Sequence, residues 1–242
     1  MKELKEAIEK ILIESNNFIE DKIKLESPIE NMFHDQLFKY KGGKVKVVPQ
    51  YSVKTISGTF RLDFVLESDG SFIGIECDGK EFHKDDWYDE WRDSLLLFSS
   101  GLKSIFRFKG KDIYYSIKDL VYIMARKEPT FFNMDMIERI SPSINNEIKE
   151  IIEGTWDQVK KKFEFTDSSF DDKDILYQIE ITWRNLKRSF DTFCYKEVLY
   201  SYIFPGKTIE ELKNILSEKH YETEQLLKLF NDKYPENKIQ NS

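Results

Sequence analysis

Three carboxylates lie close together in two consecutive extended segments: Asp63 in RLDFVLE, and Glu76 and Asp78 in FIGIECD. Strand alternation sets Arg61, Asp63 and Val65 against Leu62, Phe64 and Leu66, and sets Glu76 and Asp78 against Ile73, Ile75 and Cys77. If the segments pair as a hairpin, the three acids converge near one end. Such a cluster repels itself unless protons, hydrogen bonds or cations offset the charge. Hard oxygen donors of this kind suit Mg2+ or Mn2+. That ion would polarise a phosphodiester, activate a bound water and stabilise the departing oxygen. Lys80, two residues beyond Asp78, could orient water or contact phosphate, and His83 could assist proton transfer or hold the substrate backbone. Arg92 is a candidate phosphate contact, Asp86 and Asp93 are outer acids, and Glu30 is an accessory acid from a preceding helix. Plainer readings stand beside these: strand-edge charge for a single acid, a helix cap for Glu30, and solvated ion pairs for Asp86, Arg92 and Asp93. Cys77 points away from the acids and reads as a buried structural thiol.

The elements that must position these groups follow from period and punctuation. Leu4, Ile8, Ile11 and Leu12 predict an opening helix over 3–19. Ser27, Pro28 and Glu30 form the start signal of a second helix, with a capping box, and Ile29, Phe33 and Leu37 line its apolar face until Lys41-Gly42-Gly43. Strands are expected over 44–54, 59–67 and 72–78, with turns at Ser57-Gly58 and Ser68-Asp69-Gly70; Pro49 marks the first as bent, bulged or at an edge. A helix over 83–100, a strand over 104–108 and a helix over 111–127 complete the unit. The expected class is α/β: a mixed sheet flanked by helices, its fourth strand reached by a helical crossover. Residues 1–128 are assigned to this domain and 129–143 to a linker or strap. Residues 144–242 are assigned to a helical accessory domain, with helices over 144–163, 173–203, 208–219 and 221–234. Thr208 and Glu211 suit a capping box there, after the break at Pro205-Gly206.

Charge and composition bound the function. With 37 Lys and Arg against 44 Asp and Glu among 242 residues, the formal net charge is −7, which argues against coating nucleic acid by bulk attraction. A local groove stays open. From Phe38 to Leu62, Lys39, Lys41, Lys44, Lys46, Lys54 and Arg61 occur without an intervening acid. This is either a phosphate-facing surface, with Lys44, Lys46 and Arg61 as contacts, or the solvated face of a lysine-rich hairpin. Cys77 and Cys194 lack C-x-x-C spacing, so neither a disulfide framework nor a zinc cluster is expected; a reducing compartment, the cytoplasm, fits. The opening residues mix charged and apolar types, and no later run reaches about 18 apolar residues, so neither secretion nor membrane spanning is expected.

The ordered run from SPIE at 27–30 through RLDFV, IGIECDGKEFH, Arg92-Asp93, Gly101 and IFRF at 105–108 resembles the restriction-endonuclease-like superfamily. Within it, the likeness is closest to the uncharacterised-domain proteins related to very-short-patch mismatch repair endonucleases. It covers about residues 25–115. The resemblance implies a divalent-metal-dependent DNA endonuclease fold, with Asp63 and Glu76 matching its core acids, Glu30 the helix acid and His83 the histidine beyond the motif. Asp78 stands where many superfamily members carry lysine, a departure shared with the nearer group, so Lys80 is the candidate substitute. Cysteine and histidine do not cluster as in zinc-bearing mismatch endonucleases, and mismatch specificity is not carried over. The expectation is hydrolysis of a DNA phosphodiester, with the C-terminal helices positioning substrate, forming a homodimer or binding another protein. The alternatives are a catalytically silent nucleic-acid-binding domain and a regulatory protein whose acids are ordinary surface charges. RNA is not distinguished from DNA by these residues.

Overall fold

The computed structural model describes residues 6, 25–79, 86–153, 160–166, 175–185 and 194–237. The expected opening helix over 3–19 lies, apart from residue 6, outside them. Helix α1 (Pro28–Tyr40) starts where Ser27 Oγ accepts the Glu30 amide at 3.1 Å, satisfying one of the first-turn N–H groups that have no partner within the helix. Strands β1 (Lys46–Thr55), β2 (Gly58–Ser68) and β3 (Ser71–Asp78) follow as an antiparallel meander. Helix α2 (Asp86–Ser99) then crosses over to β4 (Leu102–Lys109), which pairs parallel with β3. That is the predicted crossover, required because parallel neighbours cannot be joined by a hairpin. Helix α3 (Gly110–Lys127), kinked at Ser116, packs on β3, β4 and the strand that follows at 175–185.

After a short helical turn at Pro129–Phe131, the Gly42 amide donates to Phe131 O and the Asn133 amide to Tyr40 O. Helix α4 (Met134–Ile140) then adds Ile137 to the core, and α5 (Asn146–Glu153) adds Ile148.

Residues 160–166 and 175–185 depart from expectation. The helices predicted over 144–163 and 173–203 contain two strands, β5 (Lys160–Thr166) and β6 (Ile175–Asn185). These extend the sheet beyond β4, in the order β1-β2-β3-β4-β6-β5. The reason is legible in retrospect: Ile175, Tyr177, Ile179, Ile181 and Trp183 recur at every second position, a strand period rather than a helical one. Ile179 and Ile181 are buried in the main core. Helices α6 (Cys194–Ile203), α7 (Ile209–Glu218) and α8 (Thr223–Lys233) form the C-terminal region, and Thr208 and Glu211 make their predicted reciprocal cap. No helix among the described residues is long and apolar enough to cross a membrane.

Two cores sandwich the sheet. Phe33 and Leu37 of α1, together with Ile113, Leu120, Val121 and Met124 of α3, pack on Phe64, Leu66, Ile73, Ile75, Phe106 and Phe108. On the other face, Leu96 and Leu97 of α2 meet Val53, Leu62, Val65 and Ile105. The outer side of α2 carries Trp91, Leu95 and Phe98 into a third cluster with α6, α7 and α8, where Trp91 Nε1 donates to Ser201 Oγ at 2.8 Å.

The alternation expected for β2 breaks at Asp63. Leu62 packs with Val65 and Ile105, not with Phe64 and Leu66. Across the ladder, Gln50 sits between Pro49, opposite Phe64, and Tyr51, opposite Leu62, and its φ of 52° is left-handed. The edge strand is therefore turned beside Asp63. Pro49 is accommodated because β1 has a neighbour on one side only.

Candidate functional site

The acids assemble where β2 and β3 part. Their ladder runs from Ser68↔Ser71 to Phe64↔Ile75, and one step further the register sets Asp63 opposite Glu76. At that step Asp63 Oδ2 accepts the Cys77 amide at 2.6 Å, a side chain standing in for a ladder bond. Glu30 approaches from α1. Its Oε2 accepts Gln50 Nε2 at 2.8 Å and the Glu26 amide at 3.0 Å, so the carboxylate reaches past the Ser27 cap instead of closing the expected box.

Arginines hold the other two acids. Glu76 is buried and pairs with Arg92 Nη2 at 2.6 Å, while the same nitrogen donates to Arg61 O at 2.7 Å. Arg107, next to Glu76 in the β3–β4 register, points to α2. Its Nη1 binds Asp78 at 2.9 Å, and its Nη2 and Nε bind Asp93 at 2.6 and 3.4 Å. Asp89 lies 3.8 Å from Nη1. Burial works against the Arg107 charge, and Asp93, Asp78 and Glu76 outweigh it.

The arginines do not satisfy the whole cluster. Burial raises the Asp63 carboxyl to about 6, Cys77 N–H opposes that, Glu30 and Asp78 add to it, and Arg92 lowers it. Burial raises Glu76 to about 8 against Arg92 and Arg107, with Asp63 and Asp93 adding to the rise. Two carboxylates whose charge burial disfavours therefore meet at the C-terminal end of β3. The Cys77 thiol is pushed up by burial and the surrounding acids, which suits a packing residue and not a nucleophile.

The surface cations engage protein acids or solvent. Lys46 pairs with Glu67 at 3.3 Å, Arg61 pairs with Glu26 at 2.7 Å, and Lys44 is exposed. Asp86 opens α2; Lys80 and His83 lie outside the described residues. Sequence reasoning missed Arg107, whose signal is a lone charge inside the apolar run SIFRF, and Gln50 and Asp89, which carry no signal of their own.

Among the described residues, no group of three or more His, Cys, Asp or Glu side chains is disposed to hold a metal ion. The donor chemistry still fits one. Asp63 and Glu76 are hard oxygen donors whose ionised forms are disfavoured chiefly by burial, a cost that a bound cation would offset. Comparison with protein-family models, curated proteins and solved structures finds no match for this chain.

Proposed function

We propose that the chain is a Mg2+- or Mn2+-dependent nuclease that hydrolyses DNA phosphodiester bonds on a restriction-endonuclease-like sheet. The observation that carries this reading is the Asp63–Glu76 junction, two buried carboxylates brought together where β2 and β3 part. Crevices beyond the carboxyl ends of parallel strands are where such sheets bind ligands. Asp63 and Glu76 would hold the ion, and Asp78 would be a further ligand or position water. When bound, the ion supplies Lewis acidity toward the phosphate and a more acidic water.

The chain's own groups prepare the site. Cys77 N–H fixes the rotamer of Asp63, and Gln50 fixes Glu30 as the accessory acid. Arg92, at the rim of the pair, would turn from Glu76 to a substrate phosphate. Lys44, Lys46 and Arg61 lie along the same basic segment as further phosphate contacts, and Lys80 and His83 would organise phosphate or water. A second copy docked through the C-terminal helices would provide the second centre needed to cut both strands.

One observation favours the second reading, a catalytically silent nucleic-acid-binding or regulatory protein: Glu76 and Asp78 already have guanidinium partners. The test is cleavage of supercoiled, linear, mismatched and single-stranded DNA with Mg2+, Mn2+ or EDTA, by wild type, Asp63→Asn and Glu76→Gln. Metal-dependent product from wild type alone supports the nuclease; equal product from all three, or none, returns the silent domain.

A further inference from the structure

Helix α3 begins beside the candidate site and presents an exposed face of unusual composition. A β-carbon added at Gly110 would lie 3.3 Å from the Asp78 carbonyl oxygen and 2.6 Å from Ile29 Cδ1, so the helix starts directly on the end of β3. From there Lys111, Tyr114 and Tyr115 follow at i, i+3 and i+4, Lys118 comes just beyond a kink at Ser116 (φ −136°, ψ 26°), and all four are exposed. Both acids of the helix, Asp112 and Asp119, are turned inward and buried. In a chain with an excess of acid, this stripe presents only lysine and tyrosine.

The two rings are open. Tyr114 is 61% and Tyr115 73% exposed, the highest values among the large apolar side chains described. They meet edge to face, with centroids 4.9 Å apart and planes at 83°. That contact steadies the pair and leaves ring faces toward solvent. Burying rings this large would be the ordinary outcome of folding, yet the helix buries Ile113, Leu120 and Val121 and leaves both tyrosines outside.

We infer that this stripe is a stacking platform for unpaired nucleotides, with Tyr114 and Tyr115 holding bases and Lys111 and Lys118 holding the flanking phosphates. The inference deepens the nuclease reading and rests on it for the ligand class. Aromatic faces accept any unpaired base, whereas a duplex keeps its faces stacked internally, so rings flanked by cations select single strands. Tyr114 is four residues, about 6 Å of helical rise, from the residue that touches the Asp78 carbonyl. The stripe thus starts at the end of β3, and the favoured substrate carries a single-stranded segment next to the bond to be cut.

The test is fluorescence anisotropy of a labelled short oligothymidylate and of a blunt duplex of equal length, in EDTA, with the full chain. Wild type is expected to prefer the single strand. Tyr114→Ala/Tyr115→Ala should weaken single-strand binding about tenfold or more, with duplex binding and the melting curve unchanged. Tyr114→Phe/Tyr115→Phe should keep it, and Lys111→Ala/Lys118→Ala should flatten its salt dependence. Unchanged single-strand binding by the Ala pair, an equal loss on duplex, or no binding by wild type overturns the inference. So does a change in sedimentation without a change in DNA binding, which would assign the face to a second copy. Cleavage separates the two readings: a chain that cuts DNA but ignores the tyrosine substitutions loses only the platform, and one that binds through the tyrosines but never cuts loses only the nuclease.

Discussion

Asp63 accepts the Cys77 amide at 2.6 Å where β2 and β3 cease to exchange backbone bonds, so one carboxylate both closes the sheet and faces Glu76. The two duties separate by substitution. Asp63→Asn keeps an acceptor oxygen for Cys77 and should cost no more than about 1 kcal/mol, whereas Asp63→Ala strands a partly buried N–H at about 1–3 kcal/mol. Urea unfolding reads the difference. On the proposed function both variants lose DNA cleavage, and an active Asp63→Asn would remove Asp63 from the centre.

Arg107 is the buried link between β3 and α2, bound to Asp78 and to Asp93. Removing one member of such a group leaves uncompensated charge, so Arg107→Ala should destabilise the fold by about 3–5 kcal/mol. Lysine cannot reproduce a guanidinium that grips two carboxylates and should rescue little of it. Chemical denaturation of Arg107→Ala, Asp93→Ala and the pair would give a coupling energy, and additive losses would show that the link is not cooperative.

The acid pair predicts an unusual pH response. Asp63 and Glu76 titrate at about 6 and about 8 in the fold, against ordinary values of 3.8 and 4.5. Between the two ranges the native state holds more protons than the unfolded chain, so stability is fully present below about pH 4 for these groups and falls as pH rises toward about 8. Melting temperature in EDTA should decline over that interval. Glu76→Gln should flatten the upper part, and Mg2+ should restore the melting temperature of wild type but not of Asp63→Asn. A wild-type curve indifferent to pH between 5 and 8 would mean that the pair is already neutralised.

Trp91 ties α2 to the C-terminal helices through Ser201 and to β2 through its T-shaped contact with Phe60, 5.8 Å between centroids. Trp91→Phe removes the indole donor to Ser201 and should cost about 0.5–1.5 kcal/mol. Faster proteolysis within 194–237, with the sheet intact, is the expected result. Uniform resistance would show that apolar packing alone holds that region.

The part of the fold around the acids was legible because local signals agreed: Ser27-Pro28 starts α1, Gly58 and Gly70 turn the hairpins, and Gly101 ends the crossover. What escaped the reading was set by partners distant in sequence. The run ILYQIEITWRN alternates like a strand, but its many charged neighbours resemble a solvated helix until β4 supplies an edge for it to join. Leu62 keeps the spacing of Phe64, yet the left-handed Gln50 across the ladder accompanies a change of face. Asp63 and Glu76 were visible as chemistry. Arg92 was visible as a phosphate contact but not as the partner of Glu76, and Arg107 was not visible at all, because these groups meet only after α2 has crossed the sheet.

The Arg107 link also sets an order of events. It joins β4 to β3 and to the crossover helix, so the buried charges find their partners only when all three segments have docked. Before that step Asp78 and Asp93 remain hydrated. Docking of α2 and closure of the β3–β4 pair are thus one kinetic event, and the acid junction matures with it. During refolding, protection of the β4 amides and recovery of the site should share a single rate, and substitution at Arg107 should slow both together.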